Sequence, residues 1–216
     1  MKDEQLRRTW KQDAEGVKHD ILMVAMAEFA EHGLAGARID EIAEKTKTSK
    51  RMIYYYFGDK DGLYLAALEA AYTRVRAGEE DIDIEGLGPR DAMGAVIRFT
   101  FEHHRAHPEL IRMVMNENVN HAAYLKKSEF LRDLNLRTLK RVERILARGQ
   151  DDGVFRKDVD ALMLHWQIQA QSFYNVSNRP SFSTKFGEEL FSDEGQNVMR
   201  ETIVDSVLTY LTCKAG

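Results

Sequence analysis

Thr48-Ser49-Lys50-Arg51-Met52-Ile53-Tyr54-Tyr55-Tyr56-Phe57, then Gly58-Asp59, then Lys60-Asp61-Gly62-Leu63: the fold class of the chain follows from this run. Ile53 and Phe57 stand one turn apart and give a short helix an apolar inner face. Ser49 stands near the cap, where a hydroxyl can accept from a backbone N–H of the first turn. The outer positions are bases and phenols. Between Lys45 and Lys60 five bases (Lys45, Lys47, Lys50, Arg51 and Lys60) oppose one acid, Asp59, a local charge of +4. Upstream, Leu22, Ala25, Met26 and Phe29 repeat at i, i+3, i+4, i+7 as far as Gly33, and Ile39, Ile42 and Ala43 mark a second, short helix. Downstream, Asp59 can cap a helix whose Leu63, Ala66, Ala67 and Ala70 form a small-residue packing face. Successive short helices joined by a tight turn are a helix-turn-helix, whose later helix lies in the DNA major groove with its N-terminal residues at the base edges.

The rest of the chain is read outward from that run. It has 216 residues, three prolines, one cysteine and a net charge of −4, with 31% charged and 44% apolar residues. Helical periodicity throughout and the lack of alternating strand patterns predict an all-α protein of about nine helices. At roughly 100–200 residues per domain, the length allows one large domain or a small one fused to a larger one. Residues 1–16 read as a flexible arm, 17–64 as the helix-turn-helix domain and 65–216 as a second helical domain. The acidic, glycine-rich stretch 78–91 reads as a loop. Further helices are expected around Met93–His104, after His107-Pro108, over about 122–148, and over roughly 159–177 and 195–212, with an irregular segment from Pro180 to Phe191. No apolar run approaches the roughly 18 residues that span a bilayer, and no membrane partner is expected. No signal peptide is visible, and the single Cys213 fits a reducing cytoplasm.

The run Phe29-Ala30-Glu31-His32-Gly33, then Ile39-Asp40-Glu41-Ile42-Ala43, then Ser49-Lys50 leading to Ile53-Tyr54-Tyr55-Tyr56-Phe57 and on to Lys60 and Leu63, resembles the DNA-binding domain of TetR/AcrR-family transcriptional regulators. The resemblance covers about residues 17–70. It implies that Arg38, at the start of the second helix, takes the place of a common backbone-contacting threonine. It implies that Thr48, Ser49, Lys50, Arg51 and Met52 present the leading end of the recognition helix. Tyr54 and Tyr55 match positions that touch phosphates or thymine methyls, and Lys60 one that holds a phosphate. This chain departs from the family in carrying Lys47 where a turn glycine is usual, and Arg51 where a small residue is common. Arginine there can read guanine bidentately, worth roughly 1–3 kcal/mol of discrimination.

The resemblance further implies a homodimer, a palindromic operator in double-stranded DNA and a small organic ligand held in the second domain. A pocket of that kind is mostly apolar with a few placed polar groups, so polar residues that interrupt apolar stripes are the candidates. His104 ends the stripe from Met93 to Phe101, and Asn118 extends the face of Ile111, Val114 and Met115. Further on, Leu162, His165, Trp166, Gln169, Ala170 and Phe173 share one face. Phe101, His104, Asn118, Trp166, Gln169 and Phe173 are the candidate ligand contacts, and His165 and Gln169 can equally face a dimer partner. His103 and His107 stand at i, i+4, a metal-ligand spacing, but no third or fourth ligand is near, and solvated histidines are expected. No metal or cofactor is implied. Met199, Ile203, Val207 and Leu211 recur every four residues, and Ile203, Val207 and Leu211 are expected at the dimer seam. Nucleotide-loop and nucleophile-elbow motifs are missing, so no enzyme is expected. Two alternatives stay open: a DNA-binding protein without a ligand, and a helical small-molecule-binding or catalytic domain whose first helices are only structural.

Overall fold

The structure is a computed structural model that describes residues 2–79 and 82–213, with side chains from residue 14 onward apart from that of residue 77. The described residues form ten α-helices, two short 3-10 turns and no strand. The helices are α1 (Lys2–Gly36), α2 (Ile39–Lys45), α3 (Lys50–Phe57), α4 (Lys60–Ala77), α5 (Pro89–Ala106), α6 (Pro108–Val119), α7 (Glu129–Asp151), α8 (Ala161–Ser177), α9 (Arg179–Phe186) and α10 (Asp193–Thr212). The expected arm over 1–16 falls mostly on residues whose side chains lie outside the described set. Its backbone is helical from Lys2, the start of α1.

Two compact units emerge, one of Met1–Tyr72 with Arg112–Ser128, the other of Thr73–Ile111 with Glu129–Gly216. The division differs from a boundary at 64/65, because the chain returns to the first unit through the end of α6 and the turns after it.

In the first unit the apolar stripes close on one another. Ile21, Ala25, Met26 and Phe29 of α1, Ile42 of α2, Ile53 of α3 and Leu63, Tyr64, Ala67 and Leu68 of α4 are all buried. Gly33, at a φ of +64° and a ψ of 177°, breaks the helical backbone as expected, so that α1 is two helices joined across that kink. Asp59 caps α4 as expected, its Oδ1 accepting from the Gly62 N–H at 2.7 Å. Gly62 itself is required, since a Cβ there would collide with the carbonyl of Phe57. The helix expected from about 122 starts only at Glu129, because His121 and Ala122 take positive φ values and the Glu117 carboxylate accepts from the N–H groups of Tyr124 (3.0 Å) and Leu125 (2.9 Å). Tyr64, edge-on to Phe29 with ring centroids 5.0 Å apart, donates its hydroxyl to the same carboxylate at 3.1 Å. Met115, expected to be buried, is exposed.

The second unit is built on α5, which packs against α7, α8 and α10. Its core joins Met93, Ile97 and Phe101 with Val142, Ile145, Leu146, Leu164, Ile168, Val204, Val207 and Leu211. The 78–91 stretch is shorter than expected as a loop, because Pro89, tolerated at a helix start, opens α5. Nor is it loose. Ile84 is buried in the core, Arg141 donates to the carbonyls of Glu79 and Ile82, and Arg148 to those of Ile84 and Leu87. The Pro180–Phe191 segment is not irregular; it folds into α9 and a 3-10 turn at Glu189–Phe191.

Candidate nucleic-acid interface and interior polar site

The first unit presents α3 as the predicted reading helix. Ser49 is its N-cap, with Oγ accepting from the Met52 N–H at 3.2 Å. Only Ile53 is buried along α3, while Ser49, Lys50, Arg51, Met52, Tyr54 and Tyr55 are exposed, Tyr55 at 78%. Thr48 and Lys60 are half-buried, Lys60 Nζ reaching the Ala35 carbonyl at 3.4 Å. The turn that aims α3 keeps a glycine-like shape without glycine. Lys47 sits at a φ of +52°, and the Thr48 N–H donates to the Ala43 carbonyl at 2.9 Å.

The bases on this face are not all free. Lys45 pairs with Glu28 at 2.9 Å, and Lys50 pairs with Asp40. Burial alone would raise the Glu28 carboxyl, but the hydrogen bond and charge of Lys45 outweigh it and hold the group below its ordinary range. Lys47 and Arg51 have no ion pair among the described residues. Arg38 is exposed and lies 3.8 Å from Glu41. Exposed ion pairs contribute roughly 0–1 kcal/mol, so phosphates can replace the carboxylate on Lys50 at little cost.

The interior candidates divide. Phe101 and His104 are buried in the second unit, and His104 meets Phe173 edge-on with centroids 6.5 Å apart. Gln169 is half-buried on the α8 face that also carries His165 and Ser172. Trp166 is not with them: it is 65% exposed. Asn118 is exposed and belongs to the first unit. The seam residues also need correcting. Ile203, Val207 and Leu211 are spent in the second unit's own core, so they offer nothing to a partner. A four-residue apolar repeat marks a buried stripe but not what covers it. The large apolar side chains left outside on these helices are Leu162, Met163, Trp166 and Tyr174 of α8 with Val198 and Tyr210 of α10.

Two residues missed by sequence reasoning join this interior. Ser172 is fully buried and its Oγ has no hydrogen-bond partner. Arg76, in the last turn of α4, pairs with Glu79 and donates to Asn135 Oδ1 at 3.1 Å, while its buried Nε has no partner. Ser172 was findable, since it falls seven residues after His165 on one helical face. Arg76 carried no signal, because nothing in the spacing shows that the end of α4 turns inward. Burial and the Arg76 charge push His104 down to about 4, and burial with the neighbouring His107 does the same to His103. His103 and His107 stack face to face, centroids 4.4 Å apart, and His107 Nδ1 lies 2.9 Å from the His103 carbonyl, an arrangement unlike two imidazoles converging on a metal.

Comparison with known proteins agrees with this geometry. Residues 21–67 match the family model described as bacterial regulatory proteins, tetR family, and residues 89–207 match the tetracyclin repressor-like C-terminal domain. The HTH-type transcriptional repressor NicS of Pseudomonas putida is 29% identical over 179 residues, 83% of this chain and 84% of that protein. The HTH-type transcriptional repressor SCO4008 of Streptomyces coelicolor is 38% identical over 110 residues, 50% of this chain and 53% of its own. A bacterial regulatory protein in the tetR family from Rhodococcus RHA1 shares the fold with a TM-score of 0.73 at 18% identity, over 92% of this chain and 98% of its own. No described helix is long and apolar enough to cross a membrane.

Proposed function

This chain belongs to the TetR family of bacterial regulatory proteins, and on that premise we propose that it is a homodimeric transcriptional repressor, released from a palindromic operator when a small organic ligand enters its second unit. One observation carries the DNA half of the reading: α3 is capped, anchored by Ile53 and exposed along its whole basic, tyrosine-bearing face. Lys50, Arg51, Tyr54 and Tyr55 approach base edges and phosphates, with Thr48, Ser49, Met52, Lys60 and Arg38 beside them. Two such helices must reach successive major grooves about 34 Å apart, which calls for two-fold symmetry in protein and operator. The exposed Met163, Trp166 and Tyr174 of α8 and Val198 of α10 supply an apolar surface for the second copy.

The ligand half rests on the polar interior formed by α5, α8 and the end of α4. Helix α4 is one hydrogen-bonded rod from Lys60 to Ala77, so a displacement of Arg76 is carried along it toward the residues that follow α3. A switch from 1:99 to 99:1 needs about 5.5 kcal/mol of differential affinity, within reach of a small ligand that fills a buried site. The chain acts in the cytoplasm, where the operator is. The test is a gel shift with the DNA upstream of the protein's own gene at moderate salt. The expected result is a shift that non-specific DNA does not compete away; no shift overturns the reading.

A further inference from the structure

We infer that the ligand of the second unit is a small, planar, polar molecule that both donates and accepts hydrogen bonds, and not an apolar one such as a sterol or an acyl chain. The inference rests on the ligand-responsive reading above and adds the chemical class.

Among the described residues, the buried side-chain atoms without a hydrogen-bond partner include Arg76 Nε of α4, His103 Nε2 and His104 Nδ1 of α5, and Ser172 Oγ of α8; the other two are guanidinium Nε atoms on α7, of Arg141 and Arg148, whose terminal nitrogens donate to backbone carbonyls. Buried polar groups in folded proteins are nearly always paired, so each exception calls for a reason. His104 and Ser172 are the pair that meets directly, across α5 and α8. The His104 ring faces the Ser172 carbonyl, and Phe173, the next residue, meets that ring edge-on. A Cβ added at Gly78, two residues after Arg76, would stand 3.1 Å from the Phe99 ring and 3.9 Å from His103, which places the end of α4 against this part of α5. The Arg76 charge is felt by His103, His104 and, from α8, His165.

The charges here are already settled. Glu79 answers the Arg76 guanidinium and itself accepts from the Thr138 hydroxyl at 2.9 Å, and the depressed histidines are neutral at pH 7. What remains unanswered is directional. The Arg76 Nε–H and the Ser172 hydroxyl can donate, while a neutral imidazole nitrogen freed of its proton can accept. A ligand with a carbonyl or hydroxyl beside an N–H or O–H satisfies both kinds at once. An apolar ligand would seal these atoms away unpaired, and sites built to hydrogen-bond a ligand reject analogues without the matching groups by large factors. The Phe173 ring, edge-on to His104, offers a flat wall to a planar ring.

The test uses the full chain, ligand-observed NMR and two probe panels: 2-pyridone, benzamide and 4-hydroxybenzamide against naphthalene, decanoate and cholestenone. The best polar probe is expected to bind at least tenfold tighter than the best apolar one. Ser172→Ala is expected to weaken that probe at least tenfold while raising the Tm of the free protein by about 2–4 °C, because it removes a buried hydroxyl with no partner. A merely structural or water-bridged hydroxyl gives the opposite pair, a lower Tm with unchanged probe affinity, and that result overturns the inference. So does equal or tighter binding of the apolar panel, or no binding by any polar probe. The regulator reading is scored separately by the gel shift, which uses no probe, so either can fail alone.

Discussion

The two units treat buried polarity in opposite ways. In the first, Glu117 is 1% exposed and meets three donors, the Tyr64 hydroxyl and two backbone N–H groups, while the buried Glu28 meets Lys45. Among the described residues of that unit no buried side-chain polar atom lacks a partner. In the second, Asn175 and Gln196 answer one another at 2.8 and 3.1 Å, yet Ser172, one helical turn before Asn175, and His104 of α5 each keep an atom unanswered. The proposed function gives each unit a reason for the difference. A reading head must hold α3 at a fixed angle to a rigid duplex, so its interior is closed and complete. A sensing unit must gain something when its ligand arrives, so part of its interior stays incomplete.

Glu117→Ala should break the contrast most sharply. It strands three donors in the first unit and should lower stability by roughly 3–5 kcal/mol in urea unfolding; a loss below about 1 kcal/mol would mean that interior was never so tightly closed. Acid tests the other side. The His104 pKa of about 4 lies below its ordinary 6.5, so the unfolded chain binds more protons between those values. Stability is therefore complete above pH 6.5 and falls as the pH drops toward 4, by roughly 2 kcal/mol between pH 7 and pH 5 for this residue. His104→Phe should flatten that slope. On the exposed face, Lys50→Ala and Tyr55→Ala should each weaken operator binding about tenfold while changing stability by less than about 0.5 kcal/mol. The smallest effect should come from Lys47→Gly, which relieves a left-handed lysine and should raise the melting point slightly, by up to about 1 kcal/mol of stability. A lower melting point would show that the lysine side chain supports the turn.

The same contrast governs what could be read from the chain alone. The reading head was legible to single residues, including the Ser49 and Asp59 caps and the Ile53 anchor, because capping and turn chemistry are local and exposed bases need no partner to be recognised. Helix α4 was legible in position but not in rotation: its largest buried side chain, Tyr64, lies outside the predicted alanine face and is met by Glu117, 53 residues later. The interior of the second unit was half legible. His104, Gln169 and Phe173 stood out as polar or aromatic breaks in apolar stripes. Trp166 stood out equally but turns outward, because the α8 stripe is wide enough for two partners and periodicity cannot rank them. Ile203, Val207 and Leu211 show the same ambiguity in the other direction. Arg76 was hidden, since its role depends on Glu79 and Asn135 meeting it in space.

The ion pairs on the proposed DNA-facing side carry one more consequence. A lysine that keeps its carboxylate brings no net charge to the duplex and displaces no condensed counterion, whereas one that lets go displaces nearly one, about 0.9 per phosphate contact. Lys45 and Lys50 start with carboxylates, while Lys47, Arg51 and Lys60 have no ion pair among the described residues. The slope of log affinity against log salt therefore counts opened latches. Over these five bases, about three counterions per protomer means both lysine pairs ride onto the operator shut and about five means the duplex has pried them apart, with Arg38 adding one more where its pair with Glu41 opens too.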